Sequence, residues 1–164
     1  MEASTLSLFV AVLALFIGIV ALLRTYREPK KETDGFNTKP LKLQAYERLV
    51  ILCERISLPA LISRTSSPDL SAREMQYMLV GNIKQEFEYN TSQQIYVSQA
   101  AWESVRNLRD QTLLIINSIA RTLPEDARAH DLNKGLLEAI MNQDNAALHT
   151  YTLDTLNGEA KKAM

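Results

Sequence analysis

The chain has 164 residues, with 18 basic and 19 acidic side chains and a formal net charge of −1. That length suggests one modest folded domain, and the near-neutral charge argues against a protein that wraps nucleic acid. A single cysteine, Cys53, excludes an intramolecular disulfide and any zinc site built on several thiolates. Two histidines, His130 and His149, exclude an all-histidine metal cage within one chain.

The run Ala3–Leu23 carries no charge. As a helix rising about 1.5 Å per residue it reaches about 30 Å, the thickness of a bilayer core. A cleaved signal peptide is the competing reading. It calls for a basic start, a shorter apolar region and a small-residue cleavage site. Here Met1 and Glu2 precede the run, and Arg24-Thr25-Tyr26-Arg27 follow it. The sequence therefore predicts a transmembrane anchor with its interfacial flank over residues 1–27.

Arg24, Arg27, Lys30 and Lys31 all follow the run. The positive-inside tendency then predicts an outer N-terminus and a cytoplasmic remainder. Ser4, Ser7, Ala11, Ala14, Gly18 and Ala21 share one helix stripe. Small residues allow close backbone approach in lipid, so the stripe suits packing on another membrane helix. The partner would be a second membrane protein or a second copy of the chain. The plainer alternative is that Ala and Ser are simply common in membrane helices.

Residues 28–40, EPKKETDGFNTKP, read as a linker. Residues 41–164 read as a cytoplasmic all-α domain, a small bundle of about four main helices. The first runs from Leu41 to Ile56, with Tyr46, Leu49, Val50, Cys53 and Ile56 on its apolar stripe. Glu47-Arg48 and Glu54-Arg55 repeat on the other side, as a solvated face. Cys53 is expected to be a buried structural thiol. A short helical turn, Pro59–Ile62, precedes a loop from Arg64 to Leu70.

Ser71 and Glu74 form a capping box. The helix behind it should end near Tyr89, with Met75, Met78, Leu79, Ile83 (or Asn82) and Phe87 facing inward and a close approach at Gly81. A polar loop follows, ending in a buried Ile95-Tyr96-Val97, with Gln94–Val97 as a candidate extended piece. Ser98 is placed to cap a helix from Gln99 to Arg121. Trp102, Val105, Arg109, Thr112, Ile116 and Ile119 form its stripe, and it should be central. Pro124 suits a first helical position, with Thr122 as cap and Glu125 and Asp126 in the first turn. Leu132, Leu136, Leu137 and Ile140 are that helix's core residues. A last helix follows the polar break at 142–145, carries Leu148, Tyr151, Leu153 and Leu156, and frays near Ala160.

Enzyme signatures are missing. There is no Gly-rich phosphate loop, no GxSxG, no HExxH and no EF-hand loop. Asp126 and His130 are four residues apart and read as a surface pair, as do Asn145 and His149. Arg106 and Arg109 are too few to make a nucleic-acid face. The best polar cluster is Glu86, Glu88, Asn90, Gln93, Gln94, Tyr96 and Trp102. It reads first as a tight loop that satisfies its own backbone groups, and second as a site for a partner or small ligand. No cofactor and no metal are expected.

The segments LQAYERL at 43–49, Glu54-Arg55-Ile56, EFEYN at 86–90 and SQQIYVS at 92–98 with Ala101-Trp102 resemble a family of small single-pass membrane proteins. That family belongs to bacteria of the Bacteroidota phylum and has no assigned function. The resemblance covers mainly Leu43 to Asn117. It implies an N-terminal anchor and a helical domain, and it supplies no activity. Its members commonly carry His where this chain has Tyr89, so a role for that imidazole does not carry over. The expected function is a non-enzymatic accessory or scaffold subunit of a membrane complex. The alternatives are a tethered sensor for a ligand or peptide near Glu86–Trp102, and an enzyme of unrecognised type.

Overall fold

The computed structural model describes residues 14–22, 37–65, 67, 69–141 and 145–164, and only the backbone of 145 and 146. The chain divides after Asn37 into two units. In the first, residues 14–22 are helical. Ser4, Ser7 and Ala11 of the expected packing stripe lie outside the described residues. Ala14, Gly18 and Ala21 lie within them, on an exposed stretch of helix. Among the described residues no helix is long and apolar enough to cross a membrane.

The second unit, Thr38–Met164, is built from helices. These are α1 (Lys39–Ile56), α2 (Leu58–Thr65), α3 (Ala72–Asn90), a 3₁₀ turn (Thr91–Ile95), α4 (Gln99–Thr122), α5 (Ala129–Met141) and α6 (Asn145–Ala163). Where the sequence predicts about four main helices, six α-helices form among the described residues of this unit. α1 starts before Leu41 because Pro40 sits in its first turn, where a missing N–H costs nothing. The predicted turn at Pro59 is a full α-helix for the same reason, with Leu58, Leu61 and Ile62 buried.

The core follows the stripes. Leu49, Leu52, Cys53 and Ile56 of α1 are fully buried, as are Met75, Leu79 and Ile83 of α3. Leu61 of α2, Val105 and Ile116 of α4, Leu132 and Leu136 of α5 and Leu156 of α6 are fully buried with them. Each such aliphatic side chain contributes about 1.5–3 kcal/mol of transfer free energy. α4 touches α1, α3, α5 and α6, and α1 and α3 are equally well surrounded, so the centre is shared by three helices.

Some predicted inner residues face out. Met78, Leu137 and Tyr151 are exposed. Met78 and Leu137 each adjoin a fully buried leucine, Leu79 or Leu136, and one step along a helix turns a side chain by about 100°. In α6 the buried face runs through Leu148, Thr152 and Leu156, and Tyr151 lies off it. α6 continues to Ala163 without fraying at Ala160, and its most extensive contacts are with α1 and α4.

Two of the three predicted caps form, those at Ser71 and Ser98. Ser71 Oγ accepts from the Glu74 amide, and Glu74 Oε2 accepts from the Ser71 amide at 2.9 Å. Those hydrogen bonds hold the Glu74 carboxyl below its ordinary value. Ser98 Oγ accepts from the Ala101 amide at 3.0 Å.

The helix expected from Pro124 begins instead at Ala129. The intervening chain is tied elsewhere. The Ala72 amide donates to Ala127 O and the Ala129 amide to Leu70 O, each at 2.9 Å, in a small antiparallel bridge between Ser71 and Arg128. The Arg128 amide then donates to Asp131 Oδ2, so Asp131 guards this helix start rather than Thr122. Thr122 Oγ1 donates to Ile119 O in its own helix.

The close approach predicted at Gly81 is not there, since that glycine is exposed and a Cβ on it would meet nothing within 4 Å. It occurs at Gly135, where a Cβ would stand 2.9 Å from Ile119 Cγ2. α5 therefore lies against α4 at a distance only glycine permits. Residues 94–97 are not extended. Ile95 ends the 3₁₀ turn and is 75% exposed, while Tyr96 and Val97 are half-buried.

Candidate functional site

α1 and α3 pack side by side, and an open groove of about 570 Å³ runs between their outer faces. Arg48, Ile51 and Arg55 line it from α1, and Asn82, Gln85, Glu86, Tyr89 and Asn90 from α3. Helical periodicity explains both sets, because steps of three, four and seven residues stay on one face. The Glu47-Arg48 and Glu54-Arg55 repeat thus delivers two arginines to one groove wall. Sequence reasoning assigned that repeat to a solvated face, although its seven-residue spacing carried the information.

Charge in the groove is partly neutralised. Arg55 forms an ion pair with Glu86, its Nε donating to Oε1 at 2.7 Å. That hydrogen bond raises the Arg55 guanidinium above its already high ordinary value. The Arg48 guanidinium lies 5.0 Å from the Tyr89 ring centroid. A cation over an aromatic face is held by the ring quadrupole and keeps donors for a second partner. Ile51 and Tyr89 are 50% and 73% exposed, so the walls offer apolar surface as well.

Of the predicted cluster, Glu86 and Asn90 come together in this groove. Asn90 is buried, and its Nδ2 donates to Glu86 O at 2.8 Å, closing the end of α3. Gln93 is buried and its Nε2 donates to Ser92 Oγ at 3.3 Å. Gln94 is exposed and Tyr96 half-buried. Trp102 turns into the core, its ring 5.1 Å from that of Phe87. The Arg109 guanidinium covers the Phe87 ring at 4.0 Å. Arg109 is therefore a half-buried stacking partner within the α4 stripe.

The other candidates lie outside this groove. Cys53 is fully buried, and burial pushes its thiol up to about 12, so it is inert as a nucleophile. His130 Nε2 lies 3.1 Å from Asp131 Oδ1 on the surface. The expected Asp126 partner stays in the turn before α5. His149 Nε2 is 3.9 Å from Glu54 Oε2. Among the described residues no three His, Cys, Asp or Glu side chains are grouped to hold a metal.

No curated protein and no solved structure matches the chain. A family of unknown function, DUF7935, matches it over residues 3–163, and the chain belongs to that family.

Proposed function

We propose that the protein is a membrane-anchored, non-enzymatic accessory or scaffold subunit of a bacterial inner-membrane complex. Ala3–Leu23 would be the single-pass anchor, with its N-terminus outside and the helical domain cytoplasmic. The observation that carries this reading is the helix at residues 14–22. All nine of its residues, from Ala14 to Leu22, are apolar or glycine, and all are exposed. In water such a surface costs about 25 cal/mol per Å² of apolar area. In lipid that cost disappears, and the small residues Ala14, Gly18 and Ala21 become a packing face. The basic flank from Arg24 to Lys31 supports the orientation.

The test is affinity purification of the full chain from native membranes in mild detergent. The chain should resist alkaline extraction and bring down a membrane protein in fixed stoichiometry. Replacing Ala14 and Gly18 with Leu should lower that capture. Release by alkali, or a clean monomer, overturns the reading. The α1–α3 groove favours a second reading, a tethered sensor that binds an anionic peptide or small ligand at Arg48. Under it the purified monomer would bind such a ligand, and Arg48→Ala would abolish binding.

A further inference from the structure

Tyr46 bonds to Glu159 and His149 lies near Glu54, so α1 and α6 run antiparallel. The start of α1 therefore stands beside the close of α6. A groove of about 560 Å³ lies between them, and its lining includes Pro40, Leu43, Val50, Ile51, Ala160 and Met164. Met164 is 77% exposed and Ile51 50%, so this groove opens an apolar surface to the outside.

The rim of its Pro40 and Met164 end is basic. Lys39 and Lys42 flank it from α1, and Lys161 and Lys162 from α6. Each is exposed and within two residues of a lining residue. Of the acids on these turns, Glu159 accepts from the hydroxyls of Tyr46 and Ser98. Glu47 lies about 10 Å along α1 from Pro40. Lysines suit the last turn of α6, where the helix dipole is negative. In the first turn of α1 they run against the dipole, and that turn holds no acid to offset them. Helix stability therefore accounts for Lys161 and Lys162 and leaves Lys39 and Lys42 unexplained.

We propose that this end of the helical unit docks on the anionic headgroup surface of the membrane. The four lysines meet lipid phosphates, and the apolar rim of the groove meets the acyl boundary. The inference rests on the anchored reading. The chain enters this unit at Thr38, 15 residues after Leu23, so this end is the one tied to the anchor by the shortest stretch of chain. The cytoplasmic leaflet carries a negative surface potential that draws clustered basic residues. Lysine stems lie along apolar surface while their ammonium groups stay at phosphate, so basic and apolar parts of the rim engage together. An acidic protein offers the same charge, but the tether keeps lipid at a high effective concentration.

The test uses the full chain in nanodiscs of phosphatidylcholine, alone or mixed equally with phosphatidylglycerol. Cys53 is buried, so a thiol-reactive bimane goes to an introduced cysteine. Gln44→Cys reports from the groove, and Ser63→Cys on exposed α2 is the distant control. A lipid with a nitroxide on its headgroup quenches a bimane that comes close. In mixed discs quenching should be stronger at Gln44→Cys than at Ser63→Cys. High salt should abolish that preference. Each change Lys42→Gln, Lys161→Gln or Lys162→Gln should lower the docked-to-free ratio about fivefold, with the melting curve in place. Equal quenching at the two positions in mixed discs overturns the proposal, as does a preference that survives all three changes. Polyglutamate that shifts the bimane emission where anionic lipid does not overturns it in favour of an acidic protein. A chain that leaves the discs in alkali overturns the anchored reading and this proposal with it, whereas a chain that stays without the preference overturns the docking alone.

Discussion

The Tyr46 hydroxyl donates to Glu159 Oε2 at 2.8 Å, joining α1 to α6 across 113 positions of sequence. Ser98 Oγ donates to the other oxygen of the same carboxylate at 2.7 Å while it accepts from the Ala101 amide. One side chain on the last helix therefore holds the first helix and the start of α4. Glu159→Ala leaves two part-buried hydroxyls to find new partners and should cost about 1–3 kcal/mol. Tyr46→Phe removes one donor and should cost about 1 kcal/mol. Denaturant melts of both variants and of the double variant check this. The double variant should be less destabilised than the two single effects added together, because the residues share one interaction.

The same region sets how stability responds to alkali. Burial, followed by the Glu159 hydrogen bond and charge, raises the Tyr46 phenol above its ordinary value. Burial pushes the Cys53 thiol from an ordinary 9.0 up to about 12. In both cases the folded state keeps a proton that the unfolded chain releases. Stability is then fully present below the unfolded values, and it falls as pH rises from about 9 toward 12. Urea melts between pH 8 and 11 should show that decline, and Cys53→Ala should flatten its first part. A maleimide should label Cys53 of the native protein only as fast as the domain opens.

Much of this architecture was legible locally. Ser71 with Glu74, and Ser98 before its helix, were readable because a cap is a contact three residues long. Leu49 of α1 and Leu132 and Leu136 of α5 followed from periodicity, while the equally buried Leu52 was not on the predicted stripe. What failed depended on distant chain. Pro124 has the local signature of a helix start, yet Leu70 and Ala72 claim the backbone of Ala127 and Ala129. The polar cluster shows the same divide. Glu86 and Asn90 share a face by spacing, whereas Arg48 and Arg55 join them only because α1 packs on α3.

Two glycines separate propensity from packing. Gly81 is exposed inside α3 with nothing near its missing Cβ, so Gly81→Ala should stabilise the domain by about 0.5–1 kcal/mol. Gly135 also lies within a helix, but an added methyl meets Ile119 Cγ2 on a stiff β-branched side chain. Overpacking costs about 1–3 kcal/mol and outweighs the helix gain, so Gly135→Ala should destabilise. Gly135→Ala combined with Ile119→Val keeps that Cγ methyl, while Ile119→Ala removes it and should recover part of the loss. Thermal melts of the four variants decide the order.

The groove makes a prediction in which binding and folding part company. Arg48 and Tyr89 touch each other at the surface, and neither belongs to the buried core. Removing their contact should cost at most about 0.5–1 kcal/mol of stability. A partner that inserts an acidic side chain between apolar contacts with Ile51 and Tyr89 would lose far more. Central aromatic and arginine residues typically carry about 2 kcal/mol or more of an interface, a factor of about thirty in affinity. Arg48→Glu should therefore lower capture of the co-purifying protein by about that factor while the melting curve stays nearly in place. Glu86→Gln gives the opposite pattern. It frees Arg55 and makes the groove more basic, so an acidic partner should bind at least as well. If Arg48→Glu leaves capture unchanged, and the Leu replacements at Ala14 and Gly18 abolish it, the partner is held by the anchor alone and the α1–α3 groove has no part in that association.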